Sequence, residues 1–250
     1  AEPMPAERPV ETPAGFDWSS TYGHYVRGQQ YLRERFDRLG AEELRKAKKT
    51  MHVGTPLKSA YYTYDRASAR KALEIGDNYK KVVLSFGGSL GAATLNREVL
   101  DLMSEYGKSH PDVLFLHATG SKGFAEFDGR FKERFGESRP DNLRYYEYIY
   151  EMPRYMAAAD LLICRSGAMT LSEIATLGKP SVLIPSPNVT NDQQTKNAKL
   201  LSDKNAAILL RETELSDGAL VKAVSGLIGN DEALSSMSAA VKEFAVQNVE

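Results

Sequence analysis

The sequence predicts an α/β fold in which one parallel sheet is covered by helices on both faces. Short apolar or β-branched runs recur from Lys81 onward, at residues 82–86, 113–117, 143–146, 161–164, 181–184 and 206–210. Continuous apolar runs are typical of strands that are buried on both faces of a parallel sheet. Segments with helical spacing separate these runs, which is the order of elements in a sheet wound with crossover helices.

Three of the segments between and after the strands have the pattern of amphipathic helices. The helix predicted at 92–106 has an apolar stripe that should pack on the sheet. Two closing helices are expected at 216–228 and 231–248, the first capped by Ser216 with Asp217 in its first turn. The apolar stripe consists of Leu95, Val99, Leu102, Met103 and Tyr106.

The first 50 residues differ in composition from the rest of the chain. Prolines come first, aromatic residues follow at 16–22, and a highly charged segment runs from Arg27 to Lys49. The proline-rich start has too little apolar periodicity to offset the entropy cost of ordering, and the charged part has helical character. We therefore expect an atypical segment at 1–50, partly disordered or helical, and one folded domain at 51–250.

The charge balance and the absence of long apolar stretches narrow the class of protein. The 32 Lys and Arg residues nearly match the 33 Asp and Glu residues, so no global field attracts nucleic acid or an anionic membrane. The sequence contains no 18-residue apolar stretch, and its acidic, proline-rich start lacks the basic and apolar regions of a secretory signal, so we expect none. Its single cysteine, Cys164, lies in an apolar run, which predicts a buried thiol in a reducing compartment. We expect a cytoplasmic protein without a nucleic-acid partner.

The sequence Gly-Gly-Ser-Leu-Gly at 87–91 joins a predicted strand to a predicted helix. Backbone N–H groups and the dipole at such a helix start favour an anion, and the Ser89 hydroxyl can donate to a phosphate oxygen. The dinucleotide fingerprint G-x-G-x-x-G fails because Ser89 and Ala92 occupy glycine positions, and a P-loop fails because alanine follows Gly91. A tight turn that binds nothing is the alternative.

A second strand-turn-helix unit has the sequence Arg-Ser-Gly-Ala at 165–168, with a helix expected from about residue 169. Glu173 lies one turn into this helix, at the carboxyl edge of the sheet, where open α/β folds bind ligands. Its carboxylate can accept hydrogen bonds from both hydroxyls of a ribose, while Ser166 and the backbone of 168–170 face phosphate or base. Helix capping and the helix dipole alone also explain these residues.

A third polar element follows at 185–201, where prolines and asparagines predict a rigid loop. Asp192 is expected to cap the next helix, and Gln193 and Gln194 project from its first turn. Their amides suit the hydroxyls of a sugar, although an exposed helix start explains them almost as well.

Three stretches in this order resemble a known family: HVGTPLK at 52–58, GGSLGAATLN at 87–96 and YEYIYEMPRYMAAADLLICRSGAMTLSEIATLGKPSVLIPSPNVTNDQQTKNA at 146–198. They are similar to the carboxyl-terminal half of the MurG family, the peptidoglycan N-acetylglucosaminyltransferases of glycosyltransferase family 28. The likeness runs from about His52 to the end. It implies the C-terminal half of a GT-B fold, a Rossmann-like domain that binds UDP-N-acetylglucosamine (UDP-GlcNAc).

The resemblance also implies roles for individual residues. Ser89 would contact the diphosphate, the Ile149 backbone would meet the uracil, and Glu173 would hold the ribose. The backbone at 168–170 would line nucleotide and phosphate, and the glutamines at 193–194 would bind the sugar. The full implied set for UDP-GlcNAc is Lys58, Gly88, Ser89, Ile149, Ser166, Gly167, Ala168, Met169, Thr170, Glu173, Gln193 and Gln194.

The reaction implied by the family is an inverting transfer of GlcNAc from UDP to the C4 hydroxyl of lipid I, which gives lipid II for peptidoglycan. Helix starts and N–H groups can stabilise the charge that builds on the leaving UDP without a metal. The chain has no D-x-D motif, so we expect neither a metal nor another cofactor. The family's location implies a peripheral contact with the inner face of the cell membrane.

Two residues depart from the family pattern. Lys58 stands where arginine usually ends Gly-x-Pro-x-Arg, so the charge remains but a bidentate grip is lost. Leu90 replaces a common glutamine in the glycine turn.

His52, His110 and His117 lie in or beside predicted strands and loops and are interpreted as structural.

The larger departure concerns the family's amino-terminal domain, which bears the acceptor site and the catalytic base. Only 50 residues precede Met51, and Gly23-His24 lacks the glycines that precede this pair in the family. We therefore expect a donor-binding half, from a truncated chain or a split enzyme, without a catalytic base of its own. The alternatives are a GT-B subunit with another lipid acceptor and a non-catalytic nucleotide-sugar-binding module.

Overall fold

The computed structural model describes residues 57–136 and 139–245. The predictions for residues 1–50 lie outside these ranges, so the boundary at residue 50 stays a prediction. All six strands of the described chain are parallel neighbours in one sheet, as predicted. They are β1 (Lys81–Phe86), β2 (Val113–Ala118), β3 (Leu143–Tyr146), β4 (Leu161–Cys164), β5 (Ser181–Leu183) and β6 (Ile208–Leu209).

Helices follow the strands and cover the sheet on both sides. Within the described ranges, no helix combines the length and the apolar character that crossing a bilayer requires. The helices are α1 (Arg66–Ala72), α2 (Ala93–Glu105), α3 (Phe124–Phe135), α4 (Met152–Ala158), α5 (Ala168–Leu177), α6 (Gln193–Ser202), α7 (Ala219–Ile228) and α8 (Asp231–Lys242). Short 3₁₀ turns lie at Ser59–Tyr62, Gly107–Ser109, Thr190–Asp192 and Glu212–Glu214.

The strand order is β3-β2-β1-β4-β5-β6. The chain therefore builds outward from β1 in one direction, returns to pair β4 with β1, and builds outward in the other direction. The crossovers after β1 and β4 diverge at this switch point and leave a crevice above the carboxyl ends of these strands.

The two faces of the sheet carry separate apolar cores because alternate strand residues point to opposite sides. Val83, Phe115 and Ile163 pack with α2, α3 and α7 on one face. Leu84 and Cys164 pack with α4, α5 and α6 on the other face. Burial on both faces explains why the strands read as unbroken apolar runs, and Cys164 is buried as predicted.

Ion pairs hold the amino-terminal ends of β1 and β4, at the end of the sheet opposite the crevice. Asp160 lies just before β4, at 2.7 Å from Arg66 Nε and 2.6 Å from Arg70 Nη2. The same carboxylate accepts a hydrogen bond from the backbone N–H of Val82 in β1 at 2.7 Å. These contacts tie α1 and the starts of β1 and β4 together, so the two strands that border the crevice keep one register.

Two predicted helix caps are wrong. Helix α7 begins at Ala219 rather than Ser216, because Asp217 and Gly218 have φ angles of 55° and 70° and break the helical path. Asp192 does occupy the N-cap position of α6, but its φ of 50° leaves its side chain without a capping hydrogen bond among the described residues.

A buried histidine lies between β1 and α2. His117 places Nδ1 2.8 Å from Ser85 Oγ and Nε2 3.2 Å from Asn96 Oδ1. Asn96 Nδ2 in turn donates to the Thr119 carbonyl at 3.0 Å, which links the network to the end of β2. Burial lowers the pKa of His117 to about 3, so the residue is neutral, and its buried hydrogen bonds confirm the predicted structural role.

We expect this histidine to make the fold sensitive to acid. The folded state excludes a proton that the unfolded chain binds near pH 6.5. The effect of His117 on the free energy of unfolding is therefore constant above pH 6.5. As the pH falls from 6.5 toward 3, the free energy of unfolding decreases by up to about 1.4 kcal/mol per pH unit. Urea unfolding of the wild type and of His117→Gln between pH 7.5 and 4.5 measures this slope. Equal slopes in the two proteins would contradict the assignment.

Candidate functional site

Two turns meet at the crevice above the switch point. The turn after β1 contains residues 87–91, and the turn after β4 contains residues 165–167. Because β1 and β4 are hydrogen-bonded neighbours, with Phe86 beside Cys164, the two turns emerge side by side. The structure thus brings together two strand-turn-helix units that lie about 80 residues apart in sequence.

The glycines of the first turn are required by its backbone. Gly88 and Gly91 have φ angles of 93° and 84°, which L side chains rarely adopt. The N–H of Gly91 donates to the Gly88 carbonyl at 3.0 Å, which closes the turn. A Cβ on Gly91 would lie 2.0 Å from the Thr119 carbonyl oxygen, whereas a Cβ on Gly88 would meet no heavy atom within 4 Å. Gly91 therefore packs the turn against β2, and Gly88 leaves its backbone open.

Both helices that leave the crevice begin without a side-chain cap from the described residues. Helix α2 has Ala92 at its N-cap, and α5 has Gly167. The first N–H groups of a helix have no partner within the helix, and the dipole adds positive charge there. The alternative in which Ser166 or Thr170 merely caps α5 is excluded, since the N-cap is Gly167 and no side chain of the described residues caps the helix.

One cavity, which we call the Glu173 cavity, lies on the β2 and α4 side of the crevice and has a volume of about 290 Å³. Its base is apolar, with Phe86 and the buried Ile149. Among the described residues that line it, Lys58 is basic, and Glu147 and Glu173 are acidic. The remaining lining residues are Leu57, Tyr61, Gly88, Ser89, Ala118, Tyr148, Tyr150, Met152, Pro153 and Met169.

The Glu173 carboxylate is hydrogen-bonded and half-buried at the wall of this cavity. Tyr61, in the 3₁₀ turn Ser59–Tyr62, donates from its hydroxyl to Glu173 Oε1 at 2.6 Å. Burial raises the pKa of the Glu173 carboxyl, while the Tyr61 hydrogen bond and the charge of Lys58 act in the opposite direction. Burial and the neighbouring carboxylate raise the pKa of Tyr61 as well, which keeps its hydroxyl a donor.

A second cavity, the Thr170 cavity, lies on the β5 side and has a volume of about 560 Å³. It shares Phe86 and Gly88 with the Glu173 cavity, so the two adjoin. The starts of α2 and α5 both line it. Its lining residues are Phe86, Gly87, Gly88, Gly91, Ala92, Ala93, Thr94, Arg165, Gly167, Thr170, Ser186, Asn188, Gln194 and Glu212.

Arg165 in the Thr170 cavity is occupied by protein partners. Its Nη1 donates to the Ile184 and Pro185 carbonyls at 3.0 and 2.9 Å, and its Nη2 pairs with Glu212. These contacts hold the ends of β4 and β5 beside the 3₁₀ turn Glu212–Glu214, and the Glu212 carboxylate compensates the charge of Arg165. The positive potential left for an anion in this cavity comes mainly from the two helix starts.

Most of the predicted site residues fall at the two cavities. Lys58, Ser89, Ile149, Met169 and Glu173 line the Glu173 cavity, Gly167, Thr170 and Gln194 line the Thr170 cavity, and Gly88 lines both. Ala168 and Gln193 are exposed and line neither of the two.

The prediction that Ser166 faces phosphate or base is wrong. Its hydroxyl is buried and donates to the Gln194 backbone carbonyl at 2.8 Å, so it anchors α6 instead of facing phosphate or base. Its own carbonyl accepts a hydrogen bond from Asn197 Nδ2 at 3.1 Å. Both contacts place the start of α6, and hence Gln194, at the Thr170 cavity.

Two features of the site were not predicted from the sequence, the role of Tyr61 and the Arg165–Glu212 pair. Tyr61 lies 112 residues from Glu173 along the chain, and nothing in its local pattern indicates this partner. The sequence shows Arg165 as a polar residue after a buried strand, but nothing in it indicates that Glu212, in a short 3₁₀ turn, is its partner.

The fold and the position of the cavities define a doubly wound α/β domain that is open to a ligand at its switch point. The chain belongs to a glycosyltransferase family, because residues 82–250 match the glycosyltransferase family 28 C-terminal domain. The family resemblance predicted from the three motifs is thus confirmed.

Curated relatives and a solved structure agree with this assignment. The UDP-N-acetylglucosamine--N-acetylmuramyl-(pentapeptide) pyrophosphoryl-undecaprenol N-acetylglucosamine transferase of Acetivibrio thermocellus is 37% identical over 200 residues, 80% of this chain and 53% of the relative. The Bacillus subtilis protein of the same name is 36% identical over 201 residues, with 80% and 53% covered. The chain spans about half the length of these curated relatives.

The crystal structure of Acinetobacter baumannii MurG has a TM-score of 0.59 to this chain at 26% identity, covering 69% of this chain and 50% of that one. The predicted fold, the Rossmann-like C-terminal half of a GT-B glycosyltransferase, is therefore confirmed.

Proposed function

We propose that the chain is the donor-binding domain of an inverting N-acetylglucosaminyltransferase and that it binds UDP-GlcNAc across the two adjoining cavities. The observation that carries this proposal is the placement of Ser89 and Glu173 in one cavity with Thr170 in the next, joined at Gly88. A diphosphate at Gly88 would have a nucleoside on one side and a sugar on the other.

The Glu173 cavity suits the uridine. The apolar base at Phe86 and Ile149 can accept the flat face of a uracil, and the Ile149 backbone offers it polar groups. The Glu173 carboxylate would accept from the ribose hydroxyls. Lys58 would add a positive charge near the nucleotide phosphates, as a point charge without the bidentate geometry of arginine.

The starts of α2 and α5 suit the diphosphate. Both present toward the Thr170 cavity the positive end of the helix dipole and N–H groups that no side chain in the described part of the chain caps. As the bond between GlcNAc and UDP breaks, negative charge builds on the β-phosphate, and fixed N–H donors stabilise that charge without reorganisation. The domain would thereby contribute to the transfer through the leaving group.

Gln194 is the best placed residue for the sugar. Its Oε1 accepts from the Ser186 N–H at 2.9 Å, so the amide is fixed and its NH₂ group remains to donate. Gln193 donates from Nε2 to Asn197 Oδ1 at 3.1 Å, which leaves its oxygen to accept from a sugar hydroxyl beyond the cavity rim.

We further propose lipid I as the acceptor, because the names of the curated relatives give an N-acetylmuramyl-(pentapeptide) pyrophosphoryl-undecaprenol acceptor. We also propose a peripheral location at the inner face of the membrane, where the domain would meet such a lipid. Transfer of labelled GlcNAc to a lipid I analogue tests the acceptor, for this chain alone and mixed with the part of the Bacillus subtilis relative that the alignment does not cover. We expect lipid II in at least one of the two. UDP-GlcNAc binding with transfer only to another lipid would contradict the acceptor, and binding without any transfer would indicate a binding module.

We expect Ser89→Ala to weaken UDP binding by about 1.5 kcal/mol, because the variant loses a hydrogen bond to a charged phosphate oxygen. Uridine, which lacks phosphate, should bind both proteins equally. Calorimetric titration with UDP and uridine measures the difference. Ser172→Ala is the matched control, since the Ser172 hydroxyl donates to the Ala168 carbonyl on α5. An equal loss for uridine would contradict the role of Ser89 at the diphosphate.

A further inference from the structure

The partner of Glu173 comes from a segment outside the part of the chain that matches the family model. The match begins at residue 82, whereas Tyr61 belongs to the turn Ser59–Tyr62, which packs against α4 and α5. Tyr61 is only 6% exposed, so its ring is fixed by packing and its hydroxyl has a defined direction.

The hydrogen bond from Tyr61 distinguishes the two carboxylate oxygens of Glu173. Oε1 accepts from the Tyr61 hydroxyl at 2.6 Å, and no other described residue donates to the carboxylate. Oε2 is therefore the oxygen left with its full capacity to accept. The same segment brings Lys58 to the cavity, so a cation and a donor reach Glu173 from one short stretch of chain.

We propose that Tyr61 is a positioning residue that sets the preference of the site for ribonucleotides over deoxyribonucleotides. By holding Oε1, it fixes the carboxylate so that Oε2 accepts from the ribose hydroxyls, and it spares the ligand the cost of ordering the side chain. A phenylalanine at this position keeps the packing but frees the carboxylate to rotate. This inference rests on the proposed binding of a uridine nucleotide and adds the residue that controls its sugar specificity.

The test is a pair of titrations on the whole chain, with UDP and with 2′-deoxyuridine 5′-diphosphate. We expect the wild type to prefer UDP by about 10-fold, the value of one hydrogen bond to a charged group. Tyr61→Phe should lower the affinity for UDP about 3- to 10-fold and that for the deoxy nucleotide by a smaller factor, because the deoxy nucleotide has only its 3′-hydroxyl to contact the carboxylate. The preference for ribose should therefore shrink or vanish.

Two further variants separate positioning from stability. Tyr62→Phe changes the neighbouring tyrosine, which is 57% exposed, and should retain the wild-type preference. Tyr61→Phe combined with Glu173→Ala should bind UDP as Glu173→Ala does alone, because Tyr61 acts through the carboxylate.

The outcomes identify which proposal fails. An equal loss of affinity for both nucleotides in Tyr61→Phe would overturn the positioning role and indicate a merely structural tyrosine. An unchanged affinity for both would also overturn it. A wild type that binds neither nucleotide would overturn the proposed function, and this inference with it.

Discussion

Glu173→Ala is expected to lower the affinity for UDP by about 1–3 kcal/mol, the cost of losing hydrogen bonds between a charged carboxylate and the ribose hydroxyls. The carboxylate is held by Tyr61 at the wall of the Glu173 cavity, so its removal also leaves the Tyr61 hydroxyl without this partner. The fold should persist because Glu173 is half-buried and lies outside the two apolar cores.

Calorimetric titration of UDP into the wild type and the variant measures this loss. Glu126→Ala provides a matched control, since Glu126 is an exposed helical glutamate that pairs with Arg130 on α3. The control should bind UDP like the wild type. An unchanged UDP affinity in Glu173→Ala would remove the proposed ribose contact.

Gly91→Ala is expected to disrupt both the fold at the crevice and the binding of UDP. The position has a φ of 84°, and the added Cβ would lie 2.0 Å from the Thr119 carbonyl oxygen. Neither the strained φ nor the clash with backbone can be relieved by a side-chain rotation, so the turn at 87–91 must move. We expect a loss of stability of at least about 2 kcal/mol and a UDP affinity too weak to measure at ordinary concentrations.

Gly129→Ala is the control for this substitution. Gly129 is exposed within α3, and a Cβ there meets no heavy atom within 4 Å. Alanine should stabilise the helix by about 0.5–1 kcal/mol and leave UDP binding unchanged. Urea unfolding of both variants measures the change in stability, and calorimetric titration with UDP measures the change in affinity. A Gly91→Ala protein that is as stable as the wild type would show that the turn does not depend on this glycine.

The sequence was sufficient to predict the layers of the fold because strands buried on both faces are visible as unbroken apolar runs. The predicted strands at 143–146 and 161–164 match β3 and β4, whereas the run at 206–210 narrows to Ile208–Leu209 at the edge of the sheet. The strand order could not be predicted from these patterns, since pairing depends on contacts between distant segments. Only the structure places β4 beside β1 and brings the two turns together.

The sequence predicts those residues of the candidate site that belong to a recognisable local pattern. The glycine turn stood out because it follows a buried strand and begins a helix, and Glu173 stood out because it lies one turn into the helix that follows another buried strand. The orientation of the Ser166 hydroxyl was not predictable, since it depends on α6, which lies 28 residues later in the chain. Asp192 and Ser216 failed as caps for a related reason, because left-handed backbone at Asp192, Asp217 and Gly218 overrides the preference of the side chain.

The crystal structure of the chain with UDP would test most directly whether the crevice at the switch point is a uridine-diphosphate site. We predict uracil against Phe86 and Ile149, ribose hydroxyls on Glu173 Oε2, and the diphosphate at Gly88 and Ser89 beside the start of α5. A third cavity, lined by Arg97, Lys122 and Arg130, shares residues 91–93 with the Thr170 cavity but contains neither Ser89 nor Glu173. UDP bound there instead would contradict the account.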